Sequence, residues 1–228
     1  TADEHSEYYG TNGSGDTVEF RERVAERSAA NVARLKQDIF GNSSVGLTMT
    51  SLLKDERGPS YAGALDWTLK TKKNNYATRG QVGATSPSTK PPGWGVWLLM
   101  EKLSGKHVLG NMGFEYNDRA LDYNDLGFIG RADYVGGWNW VQYRTEKGFG
   151  PISRTWNNFN AWYNWNNAGD RLNLGGNWNG QAQFKNLWYL GGGHEQTASK
   201  YDDREIGDGV NVKIPASSGT WIWGETDY

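Results

Sequence analysis

The side chains able to do chemistry are few and scattered. Three histidines, His5, His107 and His194, stand far apart, and none has the spacing to a second His or Cys that a zinc site takes. Carboxylates gather twice, as Asp122 and Asp125 in DYND and as Asp202, Asp203 and Glu205 in YDDRE. Such groups could serve glycoside hydrolysis or coordinate Ca²⁺. Both clusters fall in polar, broken segments, where solvated charge is the ordinary state. We therefore assign no catalytic residue, no metal site and no cofactor, and expect no enzyme. Gly191-Gly192-Gly193 opens no helix and lacks a following Lys-Ser/Thr pair, so it is not a phosphate loop. Glycines in a strand more often mark a bend or close packing at a wall.

Aromatic residues are the remaining candidates. The 228-residue chain has 12 Trp, 12 Tyr and 7 Phe beside 31 Gly, with a mean hydropathy of −0.76. Tryptophans can stack on sugar rings. Trp94, Trp97, Trp138, Trp140, Trp156, Trp165, Trp178, Trp188, Trp221 and Trp223 fall near strand ends or on apolar faces, which predicts an interfacial belt. Trp162 is the exception, because it shares a parity with asparagines; it is the candidate stacking residue.

The elements that must position these residues follow from composition and period. Net charge is −2, from 24 basic and 26 acidic residues, without the clustered Lys and Arg of a nucleic-acid surface. Cysteine is absent, so neither disulfides nor thiolate sites are available. No apolar run reaches the roughly 18 residues of a membrane helix, and residues 1–16 hold no apolar signal-peptide core.

We expect a polar N-terminal segment over 1–29, mobile over 1–17 and a polar connection or short helix over 18–28. A strand is expected over 30–40. From Ser44 the apolar period is two, broken by turn signals. KKNN at 72–75 reads as a hairpin turn, SPSTKPPG at 86–93 as a longer loop, and 117–134 as a long loop. Segments 152–166 and 172–186 alternate for far longer than the five or six residues of a typical globular strand. In them Phe159, Ala161, Tyr163, Leu172, Leu174 and Trp178 oppose amides. In a soluble sandwich the apolar side would pack on a second sheet; in a barrel it meets lipid and the amides line the lumen. The fold expected is all-β, an antiparallel up-and-down transmembrane barrel or partial barrel of roughly ten strands, over 30–228. Its lumen-facing candidates are Asn158, Asn160, Trp162, Asn164, Asn173, Asn177, Asn179, Gln181, Gln183 and Lys185. Asp118, Arg119, Asp122, Asp125, Arg131 and Asp133 make the long loop an inward constriction or an ordered surface loop, with Arg131 paired to Asp125 or Asp133.

The stretches DIFGNSSVGLTMTSLL, AGALDWTLK, NDLGFIGRADY and GDRLNLGGNWNGQAQFKNLWYLGGG resemble a large family of bacterial outer-membrane proteins of unassigned function. The most specific segments are Asn124-Asp125-Leu126-Gly127-Phe128, Arg131-Ala132-Asp133 and Gly169-Asp170-Arg171-Leu172-Asn173. Members often carry an N-terminal carbohydrate-binding module of the family-9-like type before a C-terminal barrel. The resemblance covers most of 30–228. It implies the outer membrane of a Gram-negative bacterium and a barrel region longer at both ends than this chain, which also lacks the module. The expected role is passage or surface handling of a polar solute, with carbohydrate as the favoured class. Expected partners are the lipid bilayer or lipopolysaccharide, then oligosaccharide and other envelope chains; nucleic acid is not expected. Two alternatives are a secreted or surface glycan-binding β protein and a structural barrel subunit of an envelope complex.

Overall fold

The computed structural model describes residues 4–25, 27–56, 58–123, 129–207 and 210–226, in which there are fifteen strands and no helix. Eleven form one sheet: β3 (Ser28–Ile39), β4 (Ser43–Lys54), β5 (Ser60–Lys70), β6 (Tyr76–Ser86), β7 (Gly93–Lys102), β8 (Val108–Asn117), β9 (Tyr134–Thr145), β10 (Ile152–Trp165), β11 (Arg171–Phe184), β12 (Tyr189–Thr197) and β15 (Ser217–Glu225). Each strand pairs antiparallel with its neighbour in that order. The short hairpin β13 (Lys200–Asp202) with β14 (Val212–Ile214) sits in the excursion between β12 and β15.

The N-terminal region differs from expectation. Residues expected to be mobile, connecting or helical form a hairpin, β1 (Glu4–Thr11) with β2 (Thr17–Ala25). The reason is local. TVEFRERVA alternates apolar with charged residues, and Asn12 Oδ1 accepts the backbone N–H groups of Ser14 and Asp16, both at 3.0 Å. Gly15 takes the left-handed φ of 89° that closes this turn.

Residues directly opposite one another across a pair share a face, so register assigns every strand residue to a side. One face carries the row Leu47, Leu65, Val82, Val96, Tyr116 and Val135, and beside it Val45, Trp67, Leu98, Phe114 and Tyr163. The other carries Arg34, Thr48, Ala64, Gly83, Gly95, Asn117 and Tyr134, and farther along the amides of β10 and β11.

No second layer covers the apolar face among the described residues. No large side chain is fully buried, and the buried apolar residues are Leu52, Ala77 and Leu121. Leu65, Phe159 and Trp178, near the middle of their strands, are 53, 49 and 46 % exposed. Leu174, Phe184 and Tyr163 are half-buried and converge on no dry interior. The enclosed side is the polar one: Ser60, Thr85 and Asn117 on it are buried.

The sheet is open. β3 and β15 are its edges and do not pair with each other, and both are exposed nearly throughout. The closed ring expected is thus not made by these strands. Parity explains why: with eleven strands alternating in direction, the first and last run parallel, so an antiparallel closing pair is not available between them. An all-antiparallel ring built on this sheet takes an odd number of further strands.

Glycines on both faces seat aromatic rings of adjacent strands. A Cβ on Gly80 would lie 2.7 Å from Cε2 and Cη2 of Trp67, whereas one on Gly63 would meet nothing closer than 3.7 Å. Gly80→Val is expected to destabilise the sheet by about 1–3 kcal/mol, as overpacking does. Gly63→Ala is expected to stay within about 0.5 kcal/mol. Denaturant midpoints check this; equal shifts would contradict the seat.

Candidate functional site: the polar face and its inward loop

The amides of β9 to β11 form a cross-strand ladder because register puts them opposite one another. Asn158 faces Gln142 and Asn179, and Asn160 faces Trp140 and Asn177. Asn158 Oδ1 accepts from Trp140 Nε1 and Gln142 Nε2, both at 2.9 Å. Asn158 Nδ2 donates to Asn179 Oδ1 at 2.9 Å, and Asn177 Oδ1 accepts from Asn160 at 2.8 Å and Asn179 at 3.0 Å. Asn has poor strand propensity; these bonds offset it by satisfying side chains that no solvent-free packing could accept. They also fix which way each amide points. Asn164 Oδ1 accepts from Tyr134 Oη at 2.7 Å.

Trp162 lies on this face, as its parity indicated, together with Asn173, Gln181 and Gln183. Lys185 does not: β11 ends at Phe184, and Lys185 is exposed in the following turn, donating its backbone N–H to Pro151. The tryptophans are the larger correction. Trp97, Trp138, Trp140, Trp156, Trp221 and Trp223 share the polar face with Trp162. Trp67, Trp94, Trp165 and Trp178 lie on the apolar one. Parity within GWNWVQYRTE groups Trp138 and Trp140 with Gln142 and Arg144, and this signal outweighs the general preference of indole for an interface. Gly191 and Gly193 of the triple glycine seat Trp223 and Trp221, each within 2.5 Å of a would-be Cβ, so close packing is the reason for that motif.

The long excursion between β8 and β9 folds over the polar face. It fills places that glycines leave open: the backbone at Ala120 and Leu121 lies over Gly93, the Leu121 side chain over Gly95, and the Tyr123 hydroxyl over Gly83. Thr85 Oγ1 accepts the Asp122 N–H at 3.1 Å, and Lys90 pairs with Asp122 at 2.6 Å. Burial raises the Tyr123 phenol above its ordinary value. Asp118 caps the turn by accepting from the Ala120 N–H at 2.7 Å. Arg119 pairs with Asp133 at 3.0 Å, and Asp133 also accepts the Asn167 N–H at 2.9 Å. Asp125 lies outside the described residues.

Arg131 is not paired with Asp133, one of the two partners expected for it; the other, Asp125, is not among the described residues. The Arg131 guanidinium meets Asp203, 72 positions away in the excursion after β12. Asn166 donates to the same carboxylate at 3.2 Å, and Arg204 donates to the Gly130 carbonyl at 3.1 Å. The two long excursions are thus latched together. No local signal in YDDRE announces a partner so remote in sequence. Two of the histidines are held by contacts within the sheet: His107 Nδ1 is 3.1 Å from the Arg144 carbonyl and His194 Nδ1 is 2.8 Å from Thr220 Oγ1. Among the described residues, no group of three or more His, Asp or Glu is arranged to hold a metal.

The Arg131 hydrogen bond, helped by Asn166 and opposed by burial, holds the Asp203 carboxyl below its ordinary value of 3.8. A lowered folded pKa means stabilisation that is complete above the unfolded value and lost as pH falls through the folded one. Hydrogen exchange in 118–123 and 129–133, taken relative to the intrinsic rate at each pH, should therefore be flat from neutral pH to near 3.8 and rise below it. Arg131→Met should raise it at neutral pH, since orphaning one half of a largely buried pair costs about 3 kcal/mol. Exchange that Arg131→Met leaves unchanged would contradict the latch.

No curated protein and no solved structure matches the chain. A family model described as a domain of unknown function (DUF5916) matches residues 9–228, which includes every strand of the sheet, and the chain belongs to that family.

Proposed function

We propose that this chain forms part of the wall of an outer-membrane β-barrel whose polar side lines a path for a polar solute. The carrying observation is the inversion of the two faces: the apolar one is exposed and the polar one enclosed. In water, exposed apolar area costs about 25 cal/mol per Å², and continuous patches of this kind mark contact with membrane or protein. Hydrocarbon removes that cost. The polar face needs water or solute and finds them in a lumen.

Two further features support the reading. Connections at one end of the sheet are short, at 40–42, 71–75, 103–107, 146–151 and 185–188. Both long excursions, 118–133 and 198–216, belong to the other end. Outer-membrane barrels have short periplasmic turns and longer external loops, which assigns the latched end to the outside. The apolar face carries aromatics near both ends as well as at mid-strand. Tyr61, Trp94, Tyr116 and Trp165 lie near the looped end, and Tyr76 and Tyr143 near the turn end. The rings of Trp94 and Tyr116 lie 4.7 Å apart, tilted by 36°. Amphipathic rings are favoured at both headgroup levels. Residues 118–123, folded inward over the polar face, narrow the path at its outer mouth.

Leu65→Lys and Phe159→Lys should each block stable insertion, since Lys on the lipid face at mid-depth costs about 2–4 kcal/mol. Asn160→Lys on the polar face should insert normally. Flotation of the refolded chain with liposomes reads this directly. A monodisperse chain in detergent-free buffer that tolerates Leu65→Lys would favour a soluble glycan-binding protein instead.

A further inference from the structure

Of the rings on the polar face, Trp138 of β9 and Trp162 of β10 stand directly opposite each other, toward the looped end of the sheet. They lean apart, Trp138 over Gly113 of β8 and Trp162 over Gly175 of β11, where a Cβ would lie 2.9 Å from Cε2 and Cζ2. Each indole therefore covers a glycine of the neighbouring strand, and each remains partly exposed. Their row runs between two rows of amides, Asn164 with Asn173 on one side and Asn160 with Asn177 on the other. Asn177 Oδ1 accepts from two donors, Asn160 and Asn179, which leaves its Nδ2 to donate elsewhere; among the described residues no side chain donates to Asn160 Oδ1. Glu195 lies beside Asn177 on the next strand. Arg171 is occupied by Ser199, with bonds of 2.6 and 2.9 Å.

We propose that this row is a docking site for the rings of a neutral oligosaccharide. A pyranose has an apolar face of C–H groups and a rim of hydroxyls that donate and accept. The C–H face stacks on Trp162 or Trp138, and the rim meets Asn177 Nδ2, Asn160 Oδ1 and the Glu195 carboxylate. The carboxylate accepts from hydroxyls and repels acidic sugars, which selects for neutral ones. Trp156 and Trp223 lie six residues farther along their strands, about 20 Å at 3.4 Å per residue, so the aromatic surface extends over several sugar rings. One of them, Trp156, is covered by Arg154, whose guanidinium carbon is 5.8 Å from the ring. The proposal names the solute class for the polar path and rests on that reading for its lumenal setting.

The test is calorimetric titration of the detergent-solubilised chain with maltohexaose, cellohexaose, chitohexaose and a galacturonate hexamer. Saturable binding of at least one neutral sugar is expected, with the galacturonate weaker. Trp162→Ala should weaken it about tenfold, as loss of one stacking contact would, and Trp162→Tyr should restore part of it. Gly175→Val, which lifts the ring without removing it, should act in the same direction; Trp178→Ala, on the opposite face, should have no effect. Binding of none of the neutral sugars, or equal binding by Trp162→Ala, overturns the proposal. Liposome flotation separates the two readings. A chain that inserts but binds no sugar refutes only the docking site. A chain that binds at Trp162 but never inserts refutes the membrane wall.

Discussion

Everything in this molecule depends on interleaving two kinds of side chain, apolar and polar, along one backbone. Eleven paired strands carry apolar and polar side chains on alternate residues, and among the described residues no second layer of protein meets the apolar face. A soluble sheet of this size would cover its apolar side with helices or a second sheet. Here Leu65, Phe159 and Trp178 stay exposed while Thr85 and Asn117 are enclosed. Backbone hydrogen bonds are satisfied inside the sheet, which is the condition for existing in hydrocarbon. They are unsatisfied only along its edges, β3 and β15. Those edges run parallel to one another, so the same parity that makes the sheet regular denies it an antiparallel seam.

The polar face is organised by glycine and tryptophan as much as by asparagine. Gly113, Gly175, Gly191 and Gly193 each give up side-chain volume to an indole from an adjacent strand. Gly83, Gly93 and Gly95 do the same for Tyr123 and Leu121 of the inward loop. The amide ladder then fills the rows between. Each partner explains another: without the glycines the rings would stand off the wall, and without the ladder the amides would carry unmet polar groups. At the looped end, the bond between Arg131 and Asp203 joins two excursions that are remote in sequence but adjacent in space.

Much of this was legible in the residues. Alternation in LNLGGNWNGQAQF put Leu174 and Trp178 opposite Asn177 and Asn179, and the register agrees. The turn at 72–75 and the long loop at 117–134 were visible from Asn, Gly and charge. Three things were not. The hairpin of β1 and β2 was hidden because Arg and Glu in RERVAER read as helix formers, while its true determinant is the turn around Asn12 and Gly15. The face of Trp138 and Trp140 was obscured by residue type, since indole reads as apolar even where its parity matches Gln142. The Arg131 partner was hidden because charge pairing across 72 positions leaves no trace in spacing. Closure was beyond sequence patterning altogether, because it depends on strand number and direction rather than on composition.

The chain has no cysteine, so single cysteines can be introduced one at a time along β11 and modified with a membrane-impermeant maleimide after reconstitution in lipid. The account predicts a period of two: positions 173, 177 and 179 react, while 174 and 178 resist and, labelled beforehand with a fluorophore, are quenched by brominated acyl chains. Uniform reactivity along the strand, or protection of the asparagine positions with reaction at Leu174, would contradict it.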